Sequence, residues 1–158
     1  MSSELKNLSS YNKDEVPSGE KCSFGIVVSD WNNDITSRLL DGAVKTLIEN
    51  GTDEKDILIE HVPGAYELPY GATVLFNRKK FDAIICLGCI IQGQTRHFEF
   101  IADAVANGIM QVSLKQEIPV IFGVLTTNDK EQALQRSGGN CGNKGIEAAV
   151  TALKMAAL

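Results

Sequence analysis

The feature that most constrains the fold is a series of short apolar runs that alternate with segments of helical periodicity. The runs at residues 24–28 and 83–88 are continuous and contain β-branched side chains, which is typical of strands buried on both faces. Residues 57–62 and 119–125 show a similar pattern. Because both faces of such strands must be covered, the alternation predicts an α/β fold, with a four-stranded parallel sheet inside a three-layer α/β/α sandwich.

Apolar residues at helical spacing follow each predicted strand. The first helix is expected from Asp34, with Asp34 or Thr36 as its cap and Gly51 at its end. A glycine-rich link at residues 137–145 precedes the last helix. The later helices are expected at residues 67–80, at 98–112, from the capping residues 126–129 through Arg136, and at 146–157.

Composition limits the number of domains and the classes of partner. A chain of 158 residues with 44% hydrophobic and 22% charged residues fits one domain, which we assign to residues 22–158 after a polar tail at residues 1–21. The net charge of −5 argues against a broad nucleic-acid surface, so an anionic substrate has to meet a local positive cluster. The tail lacks the pattern of a signal peptide and no apolar run approaches a membrane span, so we expect a cytoplasmic protein.

The four cysteines predict neither a disulfide framework nor a metal site. Cys86 and Cys89 match the C-x-x-C pattern, but residues three apart on a strand point to opposite faces, so their thiols are not expected to converge. Motifs of three familiar chemistries are also missing from the sequence: the Walker A loop, the G-x-S-x-G elbow and the Rossmann glycine pattern.

In parallel α/β sheets, ligands bind beyond the carboxyl ends of the strands. The only tryptophan, Trp31, follows the first strand, where it is either an edge aromatic or a platform for a planar heterocycle. After the second strand, residues 63–69 place small side chains at a helix start, which suits either a ligand near backbone N–H groups or an ordinary turn. His61, within the second strand, is interpreted as a histidine without a chemical role.

Polar residues also follow the third and fourth strands. The segment 89–97 opens a helix, so its N–H groups and the helix dipole favour an anion such as phosphate. His97 suits proton transfer near that anion because an ordinary histidine pKa is about 6.5, although a surface or capping role is the alternative. Arg136 and Lys144 flank the glycine-rich residues 137–143, either as a phosphate grip or as solvated charges on a loop.

Five ordered motifs carry a family resemblance from about Phe24 to the C-terminus. They are residues 24–28 with Trp31 and Asn32, residues 62–69, Leu87 and Gly88 followed by Gly93 and His97, residues 122–126, and residues 142–145. With them the chain resembles the lumazine synthase family of riboflavin biosynthesis. The resemblance implies a flavodoxin-like sheet and condensation of 5-amino-6-(D-ribitylamino)uracil with 3,4-dihydroxy-2-butanone 4-phosphate, releasing phosphate and water without a metal or cofactor.

The resemblance also implies a role for each site residue. His97 would be the acid/base, with positioning of the substrates supplying more of the acceleration than proton transfer. The implied substrate-binding residues are Trp31 against the pyrimidine, Ala65, Tyr66 and Glu67 along the ribityl chain, Cys89, Ile90 and Ile91 around the ring pocket, Gln94 and Thr95 at the phosphate, and Phe122, Arg136 and Lys144 from a neighbouring subunit. The site would therefore exist only in a homopentameric ring.

Some positions depart from the family pattern. Asp30, Gln92 and Asn140 stand where members often carry basic residues, which puts substrate affinity in doubt but leaves the reaction class unchanged. Pro17, where a family strand would pair with a neighbour, argues against an icosahedral capsid of sixty subunits, whereas the short link between the last two helices favours one. Two other functions stay open: a non-catalytic module that binds flavin or ribityl compounds, and a shell-forming protein.

Overall fold

A computed structural model describes residue 7 and residues 9–158 of the chain. Four parallel strands form one sheet in the order β2-β1-β3-β4, which confirms the predicted α/β fold. The strands are β1 (Phe24–Ser29), β2 (Ile57–Val62), β3 (Ala83–Ile91) and β4 (Val120–Thr127).

Helices cover both faces of the sheet. They are α1 (Asn33–Glu49), α2 (Leu68–Arg78), α3 (His97–Gln116), α4 (Lys130–Gln135) and α5 (Lys144–Ala156). One core cluster joins the sheet to α1, α4 and α5, and the other joins it to α2 and α3. Phe24 and Val27 illustrate the division, since each is fully buried but belongs to a different cluster. The sheet is therefore the middle layer of three.

Two element ends differ from the sequence prediction. The strand β3 runs to Ile91 instead of ending at Gly88, because Ile91 still pairs with Thr127 of a longer β4. The cap of α1 is Asn32, not Asp34 or Thr36. Asn32 adopts a left-handed conformation with φ of 60°, which asparagine tolerates better than most residues.

The segments beside α2 and α5 also differ from the prediction. The helix α2 begins at Leu68 after a 3-10 turn at Ala65–Glu67. The glycine-rich link is not a plain loop but a small antiparallel hairpin of β5 (Ser137–Gly139) and β6 (Gly142–Asn143). Gly138 and Gly142 make it possible, because their φ angles of 123° and 82° lie where other residues are strained.

Part of the predicted tail packs on the domain. Val16 contacts the core cluster beneath α1 and α5, and the Gly19 N–H donates to the Asn50 carbonyl at 2.8 Å. Residues 1–6 and 8 of the tail lie outside the described residues. Within the described part of the chain, no helix has the length and apolarity needed to cross a membrane.

The helices α1 and α5 cross with almost no space between their backbones. A Cβ atom placed on Gly145 would lie 1.9 Å from the carbonyl oxygen of Leu39, and one on Gly42 would lie 2.8 Å from the side chain of Asn143. Asn143 secures the crossing, because its Nδ2 donates to the Arg38 carbonyl and its Oδ1 accepts from the Gly145 N–H. The start of α5 is thereby held against the middle of α1.

We expect Gly145→Ala to lower the free energy of unfolding by about 2 to 3 kcal/mol, because the added methyl group meets a backbone carbonyl that cannot rotate away. Urea denaturation followed by circular dichroism measures the change. Gly93→Ala is the matched control, since a Cβ there has nothing within 4 Å. Equal stability of the two variants would contradict this account of the crossing.

Candidate active site

A cleft of about 390 Å³ lies beyond the carboxyl ends of β1, β2 and β3. Its walls are formed by residues from the loop after β1, the turn before α2, the end of β3 and the start of α3. They are Trp31, Asn32, Gly64, Ala65, Tyr66, Glu67, Cys89, Ile90, Ile91, Gly93, Thr95, His97, Phe98 and Ile101. The cleft thus brings together most of the residues to which the sequence assigned a site role.

The loop after β1 holds Trp31 at one wall. The Asp30 N–H donates to the Val62 carbonyl at 2.8 Å and the Trp31 N–H to the Pro63 carbonyl at 3.1 Å, so the loop continues the pairing of β1 with β2. The indole itself is 72% exposed. A large aromatic face that is open to solvent beside a cleft can stack on a planar ligand.

Asn32 connects the same loop to β3. Its Nδ2 donates to the Cys89 carbonyl at 2.9 Å, and its own carbonyl accepts from the Ile35 and Thr36 N–H groups at the start of α1. One residue therefore caps the helix and fixes the distance between two walls of the cleft. Asn32 follows Trp31 in one of the sequence motifs, but no site role was predicted for Asn32.

The turn before α2 forms the second wall. Ala65 is buried beneath it, whereas Tyr66 is 60% exposed and Glu67 half-buried. Gly64 leaves room for the Glu67 carboxylate, because a Cβ atom at position 64 would lie only 3.1 Å from Oε2 of Glu67. Glu67 gives the cleft a negatively charged hydrogen-bond acceptor, which suits hydroxyl groups of a ligand.

The end of β3 forms the floor. Cys89 is 2% exposed, and burial raises the pKa of its thiol to about 11. Burial likewise raises the pKa of Cys86 to about 12. The two thiols belong to different core clusters, which confirms that they lie on opposite faces of the strand. Cys89 therefore presents backbone to the cleft, and its thiol stays protonated near neutral pH.

The start of α3 forms the polar end of the cleft. The cap residue Arg96 makes no side-chain hydrogen bond to a backbone N–H of the first turn, and the His97 N–H donates to the Thr95 hydroxyl at 3.4 Å. The helix dipole at this end favours an anion. Arg96 itself is directed to Glu99, with Nε and Nη2 at 3.2 and 3.0 Å from the carboxylate. Thr95 and His97 are both exposed at this end of the cleft. A hydroxyl group, an imidazole and the N-terminal end of a helix therefore lie close together there.

Four residues with a predicted site role do not line this cleft: Gln94, Phe122, Arg136 and Lys144. Phe122 lies in the middle of β4, at the opposite edge of the sheet from β2. Arg136 ends α4, where its Nη1 donates to the Gln132 carbonyl at 3.3 Å, and within the described residues it forms no salt bridge. Lys144 is paired with Glu147 at 2.7 Å.

Several lining residues were missed by sequence reasoning. Phe98 and Ile101 were assigned to the buried stripe of α3, and their helical spacing gave no sign that they also border a cleft. Gly64 and Gly93 lie within the segments 63–69 and 89–97, which were predicted to approach a ligand, although neither glycine was named as a site residue. Across the described chain, no cluster of three histidine, cysteine, aspartate or glutamate side chains has a geometry that could hold a metal ion.

Comparisons with known proteins give a consistent result. A family model described as 6,7-dimethyl-8-ribityllumazine synthase matches residues 21–158. A relative of that name from Cytophaga hutchinsonii is 56% identical over 157 residues, which cover 99% of this chain and 98% of the relative. A relative of the same name from Porphyromonas gingivalis is 47% identical over 158 residues, with 100% and 98% covered. One from Bacteroides fragilis is 52% identical over 132 residues, with 84% and 92% covered.

We expect Cys86 and Cys89 to resist alkylation by iodoacetamide in the native protein at neutral pH. A pKa near 11 lowers the thiolate fraction of Cys89 about 100-fold relative to an ordinary thiol, and burial blocks the reagent as well. Mass spectrometry of the labelled peptides measures the reaction, with urea-unfolded protein as the control in which all four cysteines react. Native labelling of Cys89 as fast as in urea would show that the cleft floor opens.

Proposed function

The chain belongs to the 6,7-dimethyl-8-ribityllumazine synthase family, and we propose that it forms 6,7-dimethyl-8-ribityllumazine in the cleft beside Trp31. The reaction condenses 5-amino-6-(D-ribitylamino)uracil with 3,4-dihydroxy-2-butanone 4-phosphate and releases phosphate and water. It is the penultimate step of riboflavin biosynthesis. The observation that carries the proposal is one cleft that combines an open aromatic face with an exposed histidine at the start of a helix.

The aromatic end of the cleft suits the pyrimidine substrate. Trp31 stacks on the ring, and the backbone at Ile90 and Ile91 borders the ring edge. The ribityl chain follows the wall from Ala65 to Glu67, where the carboxylate accepts hydrogen bonds from its hydroxyl groups.

The polar end suits the phosphate of the second substrate. Thr95, the adjacent Gln94 and the start of α3 lie at this end, and the helix dipole favours the charge of the phosphate. However, no lysine or arginine is among the residues that line the cleft in the described chain. A phosphate dianion calls for a cation, and Arg136 has a guanidinium that no described carboxylate neutralises. Arg136 of a second copy, with Phe122 and Lys144, completes the site.

His97 transfers the protons of the reaction. The amine of the pyrimidine attacks the ketone and forms an imine with loss of one water, phosphate is eliminated, and the ring closes with loss of a second water. Each of these steps moves a proton near the phosphate end, where the His97 side chain is exposed to the cleft. The two substrates are already reactive, so holding them together contributes more than the proton carrier does.

Assembly into a ring is part of the proposal. Large apolar side chains stay exposed on α2 and α3 of a single copy, including Tyr70 at 74%, Phe100 at 64% and Leu114 at 72%. Exposed apolar patches of this kind mark contacts between proteins. We favour a homopentamer, and the mass in solution distinguishes it from a larger shell of pentamers.

Mixing the protein with both substrates tests the function directly. We expect the lumazine chromophore to form faster than in the same mixture without protein, as measured by absorbance. A flavin-binding module or an inert shell protein would give the uncatalysed rate. No acceleration by correctly assembled protein would therefore rule out the proposed activity.

We expect Arg136→Ala to raise the KM of the phosphate substrate about 10- to 100-fold, because a charge-assisted bond to phosphate is lost. His97→Ala is expected to lower kcat by a smaller factor, about 10-fold, with little change in either KM. Steady-state kinetics separates the two effects. Arg78→Ala is the control, since this arginine pairs with Glu60 away from the cleft. A nearly inactive His97 variant beside an unaffected Arg136 variant would contradict this division of roles.

A shared site also predicts complementation between two impaired variants. When Arg136→Ala and His97→Ala chains are refolded together, some sites receive His97 from one chain and Arg136 from another, so activity should exceed that of either variant alone. Each variant refolded by itself is the control. A mixture that only averages the two activities would place all site residues in one chain.

A further inference from the structure

We propose that Asp30 and His61 act as a positioning pair that sets the orientation of Trp31 at the cleft. The inference rests on the proposed function, because Trp31 is the residue to which that function assigns the pyrimidine ring. Neither Asp30 nor His61 lines the cleft, so the pair acts through the loop that carries Trp31 and is not in contact with substrate.

The pair joins two adjacent parallel strands at their carboxyl ends. His61 lies in β2 opposite Val28 of β1, and Asp30 lies two residues beyond Val28, so the contact is diagonal between the strands. The Nδ1–H of His61 donates to Oδ1 of Asp30 at 2.8 Å. The bond therefore ties the side chain of the residue before Trp31 to the edge strand of the sheet.

The orientation of the Trp31 side chain depends on the position of its loop. Trp31 is 72% exposed, so packing does not determine that orientation. Its backbone is held by two hydrogen bonds to the end of β2, from Asp30 to Val62 and from Trp31 to Pro63. Asn32 anchors the other side of the loop to Cys89. The Asp30–His61 bond adds a side-chain restraint on the β2 side, at the residue next to the indole.

The exposure of the pair argues against a role in stability. The side chains of His61 and Asp30 are 53% and 56% exposed, and bonds between exposed groups contribute little to folding because water competes for them. A loss of this bond leaves both core clusters untouched, since neither residue belongs to them. Its effect should therefore appear in the binding of the ring substrate.

The test compares Asp30→Ala, His61→Ala and the double variant in steady-state kinetics and in fluorescence. Each variant is expected to raise the KM of the pyrimidine substrate about 3- to 10-fold, with kcat and the KM of the phosphate substrate within about 2-fold of the parent. The double variant should be no worse than either single one, because both remove the same bond. Asp30→Asn keeps an acceptor for Nδ1–H and should retain most of the affinity.

Fluorescence reports on the pair without any substrate, because Trp31 is the only tryptophan of the chain. Acrylamide quenching should increase, and the emission anisotropy should fall, in both alanine variants. Glu49→Ala is the control, since it breaks a comparable exposed pair with Lys45 on α1. In a Trp31→Ala background, Asp30→Ala should add nothing to the KM.

Three outcomes would overturn the inference. They are unchanged quenching and KM in both alanine variants, equal changes in the KM of both substrates, and an Asp30→Ala effect that persists without Trp31. Failure of the proposed function is distinguishable from these. An inactive parent protein would reject the activity, whereas the quenching measurements would still decide whether Asp30 and His61 order Trp31.

Discussion

The register of the three strands that end at the cleft is the constraint on which the rest of the structure depends. The strand β1 is buried along its length between β2 and β3, so only those neighbours can satisfy its backbone groups. Its register puts Ser29 beside Val62 and Val28 beside Leu87. The carboxyl ends of all three strands therefore emerge at one edge, and the cleft is built from whatever side chains follow there.

Much of this frame could be predicted from the sequence because buried strands and amphipathic helices leave local patterns. The errors arose where structure depends on distant partners. The strand β3 continues to Ile91 because β4 extends beside it, and the hairpin β5–β6 forms between two short glycine-rich segments with no apolar pattern. Asn32 was overlooked as a cap because it acts through its backbone conformation and not through a side-chain bond.

The site was predictable to the extent that its parts follow consecutive strand ends. Trp31, the turn at Ala65–Glu67 and His97 meet in the cleft for that reason. Arg136 comes after β4, which lies beyond β3 and outside the cleft, so its proposed role in the site of another copy does not follow from the order of the strands in one chain. The Asp30–His61 contact was missed for a related reason, since a diagonal pair is visible only when the register is known.

The charges of the cleft explain why the proposed function joins assembly to catalysis. Among the described residues, those that line the cleft include the Glu67 carboxylate and His97 but no lysine or arginine, and the whole chain carries a net charge of −5. One copy therefore contains the aromatic half of the proposed site. Its phosphate half depends on the dipole of α3, whose effect is weakened by dissolved salt. In the proposed site, a guanidinium from a neighbour strengthens the phosphate half alone. The proposal therefore assigns assembly to the phosphate substrate and the Trp31 loop to the pyrimidine.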